Sequence, residues 1–387
     1  MRHIVLCDNG AADTLAAIPA LADRYGAGVV TVTVDVGQDG TSTGWRERAR
    51  AAGAVRTHVL DARDEFARDY ILPALHACAM DDDVALQGAA LYRALVADKL
   101  VDVAGMEGAS VVAHGFDPHA DQAVELERLI LARRPDLVVV AAQSVSDGGG
   151  QSAMSERQRV PELRGVEANL WWRRAVLDRT SPPSGAAPDP SSAPRHLPGV
   201  RAGLFTVTPP ESCGPGAATV EILFKEGMPV STNGIDMPLV ELIEVVDTIA
   251  GDHGVGRTVT AADECGTACV TITEAPAARV LRAAYTALAR AIESPSLWRL
   301  HRQLGRRYAV LLRGGEWHSD TRRAIDAFAC EARSRISGTV RVALRRGRCT
   351  VVKGSVRAEE SSTRHVGVRP GAPAREGHDA PPPPLPH

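Results

Sequence analysis

Apolar and polar positions along residues 1–141 alternate between two periods. Ile4-Val5-Leu6-Cys7 is a short unbroken apolar run, and Val29 to Val34 is valine and threonine throughout, as in strands buried on both faces. From Thr14 to about Tyr25 the apolar residues fall at helical spacing. A charged helix over Trp45 to Ala52 follows, then a strand over Val55 to Leu60. Two amphipathic helices are predicted next, over Glu65 to His76 and Leu86 to Val103. Ser110 to Ala113 and Leu137 to Ala141 read as further buried strands, with a helix over Ala123 to Arg133 between them. Strand and helix in this order predict an α/β fold whose parallel sheet is covered on both faces. Ligands of such sheets lie beyond the carboxyl ends of the strands, which directs attention to the loops after Cys7, Val34 and Ala113.

The pattern breaks between Thr180 and Pro198, where Pro, Ser, Gly and Ala dominate and no apolar period survives. That composition predicts a linker or a long surface loop. Order resumes near Gly203, with a strand over Ala218 to Phe224 and a helix over Pro238 to Ala250. Helices over Ala277–Ile292, Ser296–Leu312 and Thr321–Ile336 follow, and a hairpin over Gly338 to Val352. From Ser355 the chain is polar, rich in Gly and Pro, and ends in Pro381-Pro-Pro-Pro384-Leu-Pro-His387. It reads as a disordered tail that acts as a spacer. The expected organisation is a nucleotide-binding α/β domain over 1–165 and a linker over 166–202. A second α+β domain over 203–353 and a tail over 354–387 complete it.

Composition narrows the class. A chain of 387 residues exceeds one comfortable core, which agrees with two domains. A net charge of -3 argues against a general binder of nucleic acid or anionic membrane. No apolar run reaches the ~20 residues of a membrane span. Met1-Arg2-His3 is too short a lead for a signal peptide, and a cytoplasmic location is expected. Seven cysteines at irregular spacing, with only Cys265 and Cys269 close together, predict reduced thiols and no metal site.

Asp8-Asn9-Gly10-Ala11-Ala12-Asp13-Thr14 joins the first strand to the first helix. A glycine in such a turn lets backbone N–H groups approach a phosphate. Asn, Gly, Asp and Thr are also ordinary turn and cap residues, so this loop alone leaves both readings open. Further along come Asp35-Val-Gly-Gln38, Asp61-Ala-Arg-Asp-Glu-Phe66, Asp69-Tyr-Ile-Leu-Pro-Ala-Leu75 and Ala113-His-Gly115. Asn169-Leu-Trp171, Ile249-Ala-Gly-Asp-His-Gly-Val-Gly-Arg257, Glu274-Ala-Pro-Ala277 and Ser337-Gly-Thr-Val-Arg341 complete the series. In order and spacing these motifs resemble the argininosuccinate synthase family over about residues 1–355.

The resemblance implies a PP-loop ATP pyrophosphatase fold of the adenine-nucleotide α-hydrolase type. It also implies ATP with Mg²⁺, an amino-acid-like small-molecule substrate, and C–N ligation by adenylation. The family loop S-G-G-L-D-T-S is matched here at Gly10, Asp13 and Thr14, while Asn9, Ala11 and Leu15 depart from it. By resemblance Asn9, Gly10, Ala11, Asp13, Thr14, Val34, His114 and Gly115 are the nucleotide positions. Gly88, Asp117, Asp121, Gln122, Glu125 and Arg174 are the substrate positions. There the family's carboxylate-binding arginine becomes Glu125, its substrate-facing Tyr, Thr and Ser become Ala85, Ala89 and Ala90, and Arg93 is retained. The family's closing tetramer segment has no counterpart in residues 355–387. Three readings follow: an adenylating ligase with an altered substrate, in which new charges such as Arg173 and Arg174 read that substrate; an inactive relative acting as a binding or scaffold protein; or the family's own argininosuccinate synthase activity.

Overall fold

The computed structural model describes residues 3–8, 12–38, 42–79, 84–116, 118, 120–146, 163–178, 204–209, 216–264, 267–353 and 356–358. The readings made for the 180–198 loop and for the tail beyond residue 358 lie outside these residues, as does Cys265. Five strands form a wholly parallel sheet: β1 (His3–Cys7), β2 (Gly28–Asp35), β3 (Arg56–Asp61), β4 (Val111–His114) and β5 (Val138–Ala141), in the order β3-β2-β1-β4-β5. Alternate residues of β1 feed opposite cores. Ile4 and Leu6 join Ile18 and Leu21 on one face, and Val5 and Cys7 join Phe66, Leu91 and Leu95 on the other. This is why the strands lack polar alternation.

The helix predicted from Thr14 to Tyr25 is two pieces, α1 (Ala12–Ala16) and α2 (Ile18–Tyr25). Pro19, in the first turn of α2, cannot donate the N–H that a continuous helix needs there. α3 (Ser42–Ala51) crosses from β2 to β3. The segment after β3 runs as α4 (Arg63–Glu65), a π-helical stretch Phe66–Ile71 and α5 (Leu72–His76). Pro73 has no N–H for the preceding turn, and the Leu72 N–H bonds five residues back to Ala67 O. α6 (Val84–Glu107) and α7 (Asp121–Arg133) pack together on the sheet, and α8 (Gln143–Ser146) follows β5.

Two further sheets form the remainder, a mixed α/β unit. β6 (Leu163–Ala168) and β7 (Arg173–Asp178) pair with the long hairpin β11 (Arg257–Glu264)–β12 (Thr267–Glu274), in the order β11-β12-β7-β6. Residues 166–178, within the stretch read from sequence as linker, are thus partly strand. β8 (Ala218–Lys225), β9 (Met228–Thr232), β10 (Ile235–Asp236), β13 (Gly338–Arg345), β14 (Arg348–Val351) and β15 (Arg357–Ala358) make an antiparallel sheet. α9 (Leu239–Gly251) and α10 (Pro276–Ile292) cover it, and α11 (Pro295–Arg313) and α12 (Asp320–Arg333) lead away from it.

One apolar core runs from Val5 and Leu95 through Trp171 to Phe224, Tyr285 and Val340, so both regions share it. The loop between α11 and α12 stacks Trp317 on Tyr70, with ring centroids 4.9 Å apart, and Arg322 covers the other indole face at 3.8 Å. Tyr70 also donates to Asp98 at 2.5 Å, where Arg133 and His318 converge. No helix among the described residues is long and apolar enough to cross a membrane.

Candidate functional site

The carboxyl ends of β1, β2 and β4 lie side by side, and the first candidate residues sit there. Asp8, directly after β1, is buried and accepts a hydrogen bond from Thr33 Oγ1 at 3.2 Å. Asn9, Gly10 and Ala11 lie outside the described residues. Asp13 is exposed on α1, whereas Thr14 is buried against Gly115. A Cβ at Gly115 would stand 1.9 Å from Thr14 Oγ1, so only glycine allows this approach of the loop after β4 to α1. Val34 is buried in β2. His114 closes β4 fully buried, with Nε2 3.3 Å from Glu127 Oε1 and Nδ1 unpaired. Burial lowers its pKa, and Glu127 only partly opposes this.

The loop after β2 is held from the second region. Gln38 braces Val34 and Val36, Gly37 takes φ +92°, and the Leu170 N–H donates to Val36 O at 2.8 Å. Asn169 Oδ1 accepts from the N–H groups of Trp171 and Trp172, which turns the chain into β7. Trp172 then lies on Gly88 of α6, where a Cβ would meet its ring at 2.4 Å. Gly88 therefore serves as the seat of an indole.

The charges expected to face a substrate are partly committed inside the protein. Glu125 is buried and paired with Arg93, whose Nε and Nη2 lie 2.8 and 2.7 Å from Oε2. Burial raises the Glu125 pKa and Arg93 opposes it. Arg173 turns to Glu274 at 2.6 Å and to Leu204 O at 2.9 Å, which corrects its reading as a free substrate-facing cation. Arg174 lies on β7, in register with Glu167 of β6 on one side and Thr273 of β12 on the other. Asp121 opens α7 exposed, Gln122 is half-buried, and Asp117 lies outside the described residues. No three His, Cys, Asp or Glu side chains converge as a metal-holding group among the described residues.

Glu274 is held by a clasp that sequence reasoning did not foresee. Its carboxylate accepts from the backbone N–H groups of Thr206, Val207 and Thr208, from Thr208 Oγ1 and from Arg173. Arg257 stacks on Phe205 at 4.2 Å and bonds Thr208. Asp8 after β1, Tyr92 on α6, Glu167 on β6 and Trp172 before β7 are other residues that sequence reasoning did not single out. Tyr92 stands one turn beyond Gly88 on α6, a spacing that would have flagged it; no local signal marks Trp172.

Comparison with known proteins agrees with this arrangement. Residues 3–155 match the arginosuccinate synthase N-terminal HUP domain, and residues 196–363 match the arginosuccinate synthase C-terminal domain. The chain is 34% identical to argininosuccinate synthase of Dehalococcoides mccartyi over 361 residues, covering 91% of this chain and 86% of that one. It is 35% identical to that of Symbiobacterium thermophilum over 356 residues, covering 89% and 86%. Identity to that of Desulfitobacterium hafniense is 30% over 364 residues, covering 91% and 87%. With both domain families matched across one HUP-type parallel sheet and one mixed α/β unit, the chain belongs to the argininosuccinate synthase family, a family of ATP-dependent ligases.

Proposed function

We propose that this chain is an ATP-dependent C–N ligase that adenylates a substrate other than citrulline. A ureido or carboxyl-type oxygen of the substrate attacks the α-phosphorus of ATP, and pyrophosphate leaves. An amine such as that of aspartate then attacks the activated carbon and displaces AMP. Asn9, Gly10, Ala11, Asp13 and Thr14 hold the phosphates with Gly115, and Val34 and His114 line the nucleotide. Asp8 and Asp13 are the carboxylates that would hold a Mg²⁺ entering with the nucleotide, and that ion would offset the charge of the phosphates. The protein's contribution is positioning and charge balance, because adenylation itself supplies the leaving group.

The observation that supports an altered substrate is the Arg93–Glu125 ion pair. A guanidinium already matched by a buried carboxylate has no charge to spare for a substrate carboxylate, and Glu125 would repel one. The close packing of Thr14 on Gly115, which a side chain at 115 would prevent, supports retention of the family's approach between the first loop and the loop after β4.

Calorimetric titration with ATP·Mg²⁺, beside an Asp13→Ala control, tests the reading. Saturable binding lost in the variant is the expected result. No binding at millimolar nucleotide sinks every adenylation mechanism and leaves the family's scaffold without its chemistry.

A further inference from the structure

The turn after α5 and the inner face of α11 bring a thiol, an imidazole and a carboxylate together, and none of the three is a nucleotide or substrate position. Cys78, a free and half-buried thiol, follows α5 in the left-handed region at φ 51°. The chain there lies directly on α11: a Cβ at Gly305 would stand 2.5 Å from the carbonyl oxygens of both Ala77 and Cys78. Only glycine admits that approach, and it sets His301, one turn earlier on α11, against the same segment. His301 Nε2 donates to His76 O at 2.7 Å, Nδ1 lies 2.7 Å from Glu293 Oε1, and the ring hydrogen bonds the Cys78 side chain. The Glu293 side chain is 2% exposed and its Oε2 has no partner among the described residues, so the imidazolium is the cation that balances it.

Around the cluster stand His76 at the end of α5, Tyr285 on α10 and Arg333 on α12. Burial pushes His76 down to about 4 and Tyr285 up, so both stay neutral between pH 5 and 9. Arg333 remains a cation throughout. His301 is held charged up to about 10 by its bonds to Cys78 and Glu293. A fixed imidazolium beside a thiol favours the thiolate, the form that attacks. Both ring protons are held by oxygens, so the ring is not placed to deliver one to a leaving group. That arrangement suits exchange with a disulfide, whose leaving thiolate needs no proton, and not acyl transfer, whose leaving amine does.

We propose that Cys78 is a thiol-modification site that forms mixed disulfides with low-molecular-weight disulfides, with His301 and Glu293 as its positioning residues. The Cys78 thiol loses its proton to water, and its sulfur attacks one sulfur of R–S–S–R. A bond forms between Cys78 Sγ and that sulfur as the original S–S bond breaks and R–S⁻ leaves. The Cys78 sulfur is oxidised and the departing sulfur is reduced. The exchange uses neither ATP nor the ligase site, so it stands apart from the adenylation reading.

The test treats the full, reduced chain with 2-hydroxyethyl disulfide, quenches with acid at intervals, and follows each of the seven cysteines by site-resolved mass spectrometry. Exposed Cys330 is the internal reference. At pH 6.5 Cys78 is expected to form its mixed disulfide at least about tenfold faster than Cys330, although it is the less exposed of the two. His301→Gln should erase that advantage and leave the Cys330 rate as it was. The difference between parent and variant should close as pH approaches 10, where the imidazolium is lost, a convergence that a purely structural role of the ring would not produce. A Cys78 rate equal to or below that of Cys330 in the parent protein at pH 6.5 overturns the proposal, and this comparison needs no variant to fold. An advantage that survives in a folded His301→Gln protein overturns it as well.

Discussion

At the scale of single residues, the chemistry of this chain is governed by where charges are spent. Arg93 and Glu125 would each be a hazard alone, since a buried ion without its partner costs several kcal/mol. Arg93→Met should destabilise the protein by about 3–5 kcal/mol in urea denaturation, and Arg93→Met with Glu125→Leu should recover most of that loss. No recovery in the double variant would mean that Glu125 is stabilised by something other than Arg93. Asp247 on α9 is a second case. Burial lifts its carboxyl to about 6, against the hydrogen bond from the Ala277 N–H and with repulsion from Glu274 adding to the rise. Its folded pKa exceeds the unfolded value, so the buried charge is a penalty above pH 6 that fades as pH falls toward 4. Asp247→Asn should therefore stabilise the fold at pH 8, by on the order of 1–3 kcal/mol, and have little effect at pH 4. A gain that is the same at both pH values would remove titration of Asp247 as its cause.

Elements are held in place by buried polar anchors as much as by apolar faces. His301 of α11 is enclosed, with Nε2 donating to His76 O at 2.7 Å and Nδ1 2.7 Å from Glu293 Oε1. A carbonyl can only accept, so Nε2 carries a proton, and the carboxylate favours a second proton on Nδ1. Burial disfavours that charge, but the hydrogen bonds to Cys78 and Glu293 outweigh it and hold the pKa at about 10. Because the folded value lies above the unfolded one, this contribution is complete below pH ~6.5 and is lost as pH rises toward 10. His301→Gln should cost on the order of 3 kcal/mol at pH 6, and the difference from the parent should shrink on the approach to pH 10. A gap of constant size across that range would mean that the ring anchors α11 without its charge. His76 behaves in the opposite sense: burial pushes it down to about 4, so it stays neutral while donating to Gly227 O.

For the whole molecule, the shared core matters most. Residues from β1 and α6 pack in one cluster with residues from β8, α10 and β13, and Trp317 stacks on Tyr70 between the regions. Regions joined through apolar packing of this kind should not unfold separately. Scanning calorimetry is expected to show one transition, with its calorimetric and van't Hoff enthalpies equal. Two resolved transitions would mean that the contact between the regions is weaker than its burial implies. The same continuity places Asn169-Leu-Trp171 against the loop after β2, so the candidate site depends on both regions being folded.

The sequence alone determined the parallel sheet, because runs such as Val29–Val34 have no polar alternation and only a doubly covered strand tolerates that. It also determined the family, since motifs such as Asp35-Val-Gly-Gln38 and Ala113-His-Gly115 fall at loops where the backbone admits few residues. β11 and β12 went unread because Thr, Ala, Asp and Cys dilute their alternation, and their hairpin is specified by pairing with β7, far away in sequence. The break at Ala17 and the π-turn before Pro73 follow from missing proline N–H groups and were legible in principle. Only the tertiary structure decided which charges are paired inside the protein. Glu125 and Arg93 lie 32 residues apart, and Arg173 and Glu274 101 apart, so no local pattern pairs them. Trp172 comes to Gly88 in the same way, brought there by a turn whose hydrogen bonds join the two regions. Residue types set what chemistry was available, and long-range packing decided how much of it was left for a substrate.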